Sequence, residues 1–237
     1  TQFYPGTVLG IITDLTEAIE KNDLLLINQL LAQLGKTPFF KHEKPSPFDE
    51  AVSLIWYLEN VFYYSASKVY GYIKSNIFNN QKLDNEVINL GFWPGGDRDG
   101  NPNVTSAITQ EVLSLSRWMA ADLYLRDVRE LTNELSMWDA TEELTEAASI
   151  YRDEFNRNRD EPYRLVLGHL RKRLLATLDW SAKQAKGEFV EPGDALLRNE
   201  DLIAPLMLCY RSLMEKGMHS VANGLLLDTL RRAYVDE

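Results

Sequence analysis

Cysteine is almost absent from this chain: Cys209 is the only one in 237 residues. That excludes an intrachain disulfide and any metal site built from cysteines, and it fits a reducing compartment. Histidine is nearly as scarce. His42, His169 and His219 are scattered, none with a second histidine or carboxylate at a metal-pair spacing on one helix face. No apolar run approaches the length of a membrane span, and Thr1 leads straight into an amphipathic pattern rather than a signal peptide. Positive charge is in deficit, with 25 basic against 35 acidic residues and a formal net charge of −10. Such a surface repels nucleic acid and anionic membrane, and no Lys/Arg block with interleaved aromatics offsets it. Internal repeats and low-complexity tracts are missing too. A cytoplasmic protein that binds neither nucleic acid nor membrane is the reading that remains.

What is present is a helical pattern almost throughout, with enough apolar residues, 45% of the chain, to bury a sizeable core. Val8, Leu9, Ile11, Ile12, Leu15 and Ile19 recur at helical spacing, and Leu24 to Leu34 repeats the pattern before Gly35, which predicts a helical hairpin. Ser46-Pro47-Phe48-Asp49 supplies an N-cap, a proline at the first helical position and an acid at the third. The helix it opens is predicted to run to about Phe78, burying Ala51, Leu54, Ile55, Leu58, Val61, Phe62, Val69, Ile73 and Ile77. Its aromatics, Trp56, Tyr57, Tyr63, Tyr64, Tyr70 and Tyr72 among them, exceed what one stripe can cover. Further helices are predicted over about 105–131, 141–156, 162–186, 199–216 and 219–232, with Glu191-Pro192-Gly193-Asp194 a surface loop. Val87 to Trp93 is the one convincing strand. Cys209, inside Leu206-Met207-Leu208-Cys209-Tyr210, reads as inert core. Arg164, Arg171, Lys172 and Arg173 read as a solvated helix face paired with neighbouring acids.

Between the strand and the helix at 105 lies the densest run of constraint in the chain. Gly91, Gly95, Gly96 and Gly100 permit positive φ or close approach, while Pro94 and Pro102 fix the directions of entry and exit. Asp97 and Asp99 flank Arg98, a guanidinium that could be held by its neighbours and fork onto a carboxylate or phosphate. A strand end followed by a helix N-terminus is also a place that favours anions. Asp97-x-Asp99-x-Asn101 starts like a calcium loop, but Pro102 stands where glycine is required and Ile108 where a bidentate glutamate is required. Neither Rossmann spacing nor a Gly-Lys-Ser/Thr ending supports a nucleotide loop. Chemistry alone leaves a plain helix-linking loop about as good a reading as a site.

Residues 92–105, Phe-Trp-Pro-Gly-Gly-Asp-Arg-Asp-Gly-Asn-Pro-Asn-Val-Thr, resemble the Gly-Gly-Asp-Arg-Asp-Gly-Asn-Pro signature of phosphoenolpyruvate carboxylase. Leu115-Ser116-Arg117-Trp118 with Asp122-Leu123-Tyr124-Leu125, then Glu134-Leu135-Ser136-Met137, and Ala222-Asn223-Gly224 with Leu226 to Arg232 resemble later segments of the bacterial enzymes in the same order. Residues up to about Thr105 resemble one bacterial branch and those after it another, as in a hybrid sequence. The resemblance implies that residues 1–237 form a single, mainly α-helical fragment of an α/β-barrel fold, contributing about one barrel strand, with the signature strand and loop at 87–105. It implies an enzyme that turns phosphoenolpyruvate and bicarbonate into oxaloacetate and phosphate with Mg or Mn, through carboxyphosphate and an enolate. In the family a Thr-Ala-His-Pro motif with the catalytic histidine precedes the position of Thr1. The metal-binding carboxylates and the catalytic lysine follow that of Arg232.

By resemblance, then, no catalytic residue and no metal ligand falls within the chain, and neither Mg nor Mn is expected to bind it specifically. Trp93 corresponds to a tryptophan on the hydrophobic wall near the substrate's methylene carbon. Gly95, Gly96, Asp97, Arg98, Asp99 and Asn101 correspond to the loop at the barrel mouth and are read as active-site scaffold. The chain alone is expected to be inactive and to self-associate, with the helix from Ser46 to Phe78 as a contact surface. The alternative is a non-enzymatic helical interaction module that keeps the loop as scaffold.

Overall fold

A computed structural model of the chain describes residues 5–37, 45–79, 88, 90–152 and 160–235. His42 lies outside them. Ten α-helices are formed among the described residues: α1 (Pro5–Glu20), α2 (Leu24–Lys36), α3 (Pro47–Tyr57), α4 (Tyr63–Asn76), α5 (Ser106–Glu134), α6 (Glu142–Ser149), α7 (Pro162–Ala185), α8 (Glu200–Glu215), α9 (His219–Val221) and α10 (Leu227–Val235). The mainly α class read from the sequence is the observed one.

The helix starts follow local chemistry. Asp23 accepts from the Leu26 N–H at 3.0 Å, and Thr141 caps α6 in the same manner. At α3 the cap is reciprocal: Ser46 accepts from the Asp49 N–H while Asp49 accepts from the Ser46 N–H, with Pro47 at the first helical position. Such a capping box satisfies two otherwise orphaned donors. Lys186-Gly187 and Lys216-Gly217 end α7 and α8, and both glycines take positive φ, 77° and 75°, which a glycine tolerates without a Cβ penalty.

Two cores result. Ile11, Ala18 and Leu30 close the α1–α2 hairpin on itself. A larger core joins α4 to α10, with Leu125, Leu131, Leu165, Leu167, Leu170, Leu206, Leu213 and Leu226 almost fully withdrawn from water. Each such leucine contributes about 1.5–3 kcal/mol of transfer free energy. The two longest helices, α5 and α7, pack against each other as the central pair, with α6 against α7 and α10 reaching both α4 and α8. Cys209 sits in this core, and burial pushes its thiol up to about 12, so it is not ionised near neutrality.

The structure departs from the sequence reading in four places. The strand expected over Val87–Trp93 is not formed: Ile88 and residues 90–93 are irregular, Val87 and Asn89 lie outside the described residues, and no strand occurs among those described. A strand needs a ladder partner, and the described residues supply none. The long helix from Pro47 is interrupted by a π-helical turn at Leu58–Phe62. Its extra residue rotates everything after it, so the buried face moves to Tyr63, Ala66 and Ser67 while Val61, Phe62, Val69 and Ile77 are exposed. The helix expected over 219–232 is broken by a second π-helical turn in which Gly224 is non-helical, with ψ −134°. Finally, α6 stops at Ser149, and of the remainder of its expected span residues 153–156 lie outside the described residues.

One polar cluster sits inside this apolar body. Oδ2 of the buried Asp127 on α5 accepts from the Tyr63 hydroxyl (2.8 Å), the Thr229 hydroxyl (3.0 Å) and Arg232 Nη1 (2.6 Å). The Arg232 guanidinium also lies over the Tyr63 ring, 4.6 Å from its centroid. Burial first, and then the Asp127 carboxylate, drive the Tyr63 phenol far above its ordinary range, so it stays a donor. Removing one partner of such a buried pair strands the other charge. Asp127→Ala is therefore expected to lower stability by about 3–5 kcal/mol in urea unfolding. A loss no larger than an ordinary surface substitution, about 0.5 kcal/mol, would show that Arg232 finds water instead.

Candidate functional site

The loop between Phe92 and Ser106 is held by its own backbone and by α5. The Trp93 carbonyl accepts from the N–H groups of Gly96 (3.0 Å) and Asp97 (3.1 Å), which makes the first turn. Asn101 organises the second. Its N–H donates to the Arg98 carbonyl, its own carbonyl accepts from Val104 N–H at 3.2 Å, and its side-chain oxygen accepts from Asn103 N–H at 3.0 Å. Thr105 then caps α5 by accepting from the Ile108 N–H at 3.3 Å. One turn into α5, the Thr109 hydroxyl donates back to the Gly95 carbonyl and so ties the first turn to the helix.

Gly95 is the loop position at which a side chain would be most strained. It is buried at φ +75°, and a Cβ placed there would stand 2.8 Å from Cγ2 of Val112 on α5. Asp99 and Gly100 also have positive φ, 37° and 76°, and turn the chain back towards the helix. An aspartate tolerates this region better than most residues do.

The residues singled out from the sequence are thus brought together, though not as ion pairs. Pro94 and Gly95 are buried and Asn101 is half-buried, whereas Gly96, Asp97, Arg98 and Asp99 face solvent. Arg98 forms no ion pair with Asp97 or Asp99, so its guanidinium is not neutralised by its neighbours in sequence. Trp93 is 59% exposed. Of the cationic run on α7, Arg164 pairs with Glu161 at 3.0 Å and Arg173 with Asp201 at 3.4 Å, whereas Arg171 forms no ion pair among the described residues.

Arg98 borders a cleft of about 320 Å³ whose other walls are Ser106, Thr109, Gln110, Leu113, Ser114 and Arg117 of α5 and Gln184 of α7. Arg117 lies over the Trp180 ring at 4.5 Å, and burial draws its pKa below the usual guanidinium value. The Trp180 indole N–H donates to the Val190 carbonyl at 3.0 Å. Sequence reasoning missed this arrangement because Arg117 and Trp180 are distant in the chain and meet only through α5–α7 packing. Among the described residues no group of three or more His, Cys, Asp or Glu could hold a metal ion, and no helix is long and apolar enough to cross a membrane.

The chain is thus a helical body that displays one glycine-locked, cation-bearing loop at the start of its central helix. Residues 13–235 match the family profile of phosphoenolpyruvate carboxylase. The chain belongs to that family. It is 45% identical over 212 residues to the phosphoenolpyruvate carboxylase of Marinobacter nauticus, covering 88% of this chain and 23% of that protein. It is 38% identical over 235 residues to that of Hahella chejuensis, covering 94% and 26%, and 40% identical over 225 residues to that of Salmonella typhi, covering 93% and 25%. The chain thus spans about a quarter of the length of the relatives it matches.

Replacing Gly95 tests the loop lock directly. Gly95→Ala forces both a positive-φ Cβ and a clash with Val112, and is expected to cost about 1–3 kcal/mol. The double variant Gly95→Ala/Val112→Ala should cost less than the two single losses added, because the second change opens room for the first. Strict additivity in urea unfolding would show that Val112 is not the neighbour that fixes the loop.

Proposed function

We propose that this chain serves phosphoenolpyruvate carboxylation, the conversion of phosphoenolpyruvate and bicarbonate to oxaloacetate and phosphate. The observation that supports it best is the loop from Trp93 to Asn101, which combines the family's signature residues with a backbone that only glycine at 95 allows. Trp93 presents an exposed indole suited to an apolar wall beside the substrate's methylene carbon. Arg98, Asp97 and Asp99 serve as scaffold at the mouth of the site, and Gly95, Gly96 and Asn101 set the loop's path. Bond making is left to residues that the 237-residue chain does not contain.

Magnesium or manganese, which the resemblance implies for the longer enzyme, has no fitting ligand set among the described residues. No step through it is assigned to this chain. A cytoplasmic location fits the acidic composition and the single cysteine.

The test is a chimaera in which this chain replaces the matched segment of the Marinobacter nauticus protein, assayed by coupling oxaloacetate formation to malate dehydrogenase. The chimaera is expected to turn over with bicarbonate and Mg, and Trp93→Ala to lower kcat/KM for phosphoenolpyruvate by about tenfold or more. The 237-residue chain alone is expected to give no oxaloacetate. Turnover by the chain alone, lost on Arg98→Ala, would overturn this division of labour. A folded but inactive chimaera would count against the carboxylase reading itself.

Self-association belongs to the same proposal. Trp56, Phe62, Tyr64, Val69 and Tyr72 on α3, α4 and the turn between them are 41–66% exposed, a band of apolar and aromatic surface that a second copy could cover. Sedimentation equilibrium at micromolar concentration is expected to show dimers or larger species that Phe62→Ser/Tyr72→Ser weakens. A sharply folding monomer that binds no hydrophobic dye would contradict it.

A further inference from the structure

In a chain of net charge −10, several arginines are matched by a carboxylate: Arg126 by Asp122 and Glu59, Arg164 by Glu161, Arg173 by Asp201, Arg211 by Glu143, Arg232 by Asp127. The cleft beside the loop is different. Arg98 and Arg117 both line it, and among the described residues no carboxylate does and neither guanidinium forms an ion pair. The rest of its lining is hydroxyl and amide, Ser106, Thr109, Gln110, Ser114 and Gln184, with Leu113 alone apolar.

Arg117 is moreover held in place. Trp180 and Gln184 lie one turn apart on the same face of α7, and the Trp180 ring carries the Arg117 guanidinium on its face at 4.5 Å. Trp180 is itself fixed by its hydrogen bond to the Val190 carbonyl. Cation–π stacking engages the face of a guanidinium and leaves its in-plane N–H fork free, so little side-chain entropy remains to be lost when the fork meets an anion. Arg98, which also lines the cleft, sits on a loop whose turns are locked by Gly95 and Asn101.

We propose that this cleft is a binding site for a phosphate-class dianion, either free phosphate or the phosphate group of a small ester. Two guanidinium groups lining one cleft, one from the loop and one from α5, with hydroxyl and amide groups beside them, suit a tetrahedral oxyanion. A planar carboxylate would be saturated by one fork. The volume, about 320 Å³, falls at the small end of ligand pockets, which limits an ester to a few carbons. The proposal stands on the cleft alone and does not depend on the carboxylase reading.

Isothermal titration of the full chain at low ionic strength tests it, with inorganic phosphate, glycerol phosphate and malonate as probes. Phosphate is expected to bind one site with sub-millimolar Kd, and Arg117→Gln to weaken it by about tenfold or more, the loss of one charge-assisted fork. Because Arg117 also packs on Trp180, the solvent-facing Arg98→Gln repeats the test without disturbing the core, and circular dichroism confirms that each variant is folded. Tighter binding of glycerol phosphate than of phosphate assigns the site to an ester, and the reverse to the free ion. Malonate binding as tightly as phosphate overturns the phosphate class. No saturable binding by the folded chain, or binding unchanged in both variants, overturns the site.

Discussion

The carboxylate of Asp127 is the point on which the packing of this chain turns. One oxygen takes three hydrogen bonds, from α4 through Tyr63 and from α10 through Thr229 and Arg232, so three helices are fixed to one atom. The apolar core around it is largely leucine, and leucines tolerate sliding and rotation within a core of the right volume. A buried charge does not, because any arrangement that separates Asp127 from Arg232 leaves two unpaired ions in a low-dielectric interior. Burial disfavours the Arg232 cation, yet the carboxylate outweighs it and the net shift is upward, which keeps Arg232 charged. The two π-helical turns make sense in this light. Leu58–Phe62 rotates Tyr63 inward, and the turn at Ala222–Leu226, with Gly224 out of helical geometry, directs α10 so that Thr229 and Arg232 reach the same atom.

That constraint is also what the sequence hides best. Periodicity located the helices, and caps such as Ser46 with Asp49 located their starts, because both signals lie within a few residues of one another. The Asp127 contacts span 64, 102 and 105 residues, and an aspartate in a helical pattern reads as a surface charge. The π turns escape for a related reason. A single inserted residue leaves composition unchanged while it shifts the buried face, which is why Val61, Phe62 and Val69 were assigned to the core and stand exposed instead. The strand at Val87–Trp93 was misread because β-branched and aromatic residues report a fit to a sheet surface, and a sheet needs a neighbour.

The loop was legible to a different degree. Its glycines and prolines announce constraint, and its eight-residue signature announces the family, but neither tells which glycine is indispensable. Only Gly95 meets a neighbour within clash distance, at Val112, whereas a Cβ at Gly100 would meet open space even though its φ is positive. The charges were also read too locally. Asp97 and Asp99 were expected to hold Arg98, and in the fold the acids and the guanidinium all face solvent without pairing. Adjacent residues in a tight turn diverge, so proximity in sequence is a poor guide to an ion pair there.

Unpaired cations in an acidic protein carry information because the alternative is so available. With ten more carboxylates than basic groups, a partly buried guanidinium with no carboxylate beside it among the described residues stands out. Arg117 is such a group. It is placed on Trp180 rather than beside an acid, and the partial burial that draws its pKa down is tolerated without a compensating negative charge. A stacked arginine recovers some of the desolvation cost through the ring quadrupole, but an anion in the cleft would recover more, since charge-assisted hydrogen bonds strengthen as water is excluded. The same packing of α5 on α7 that builds the core therefore leaves at its edge a cationic cleft whose charge no carboxylate among the described residues balances.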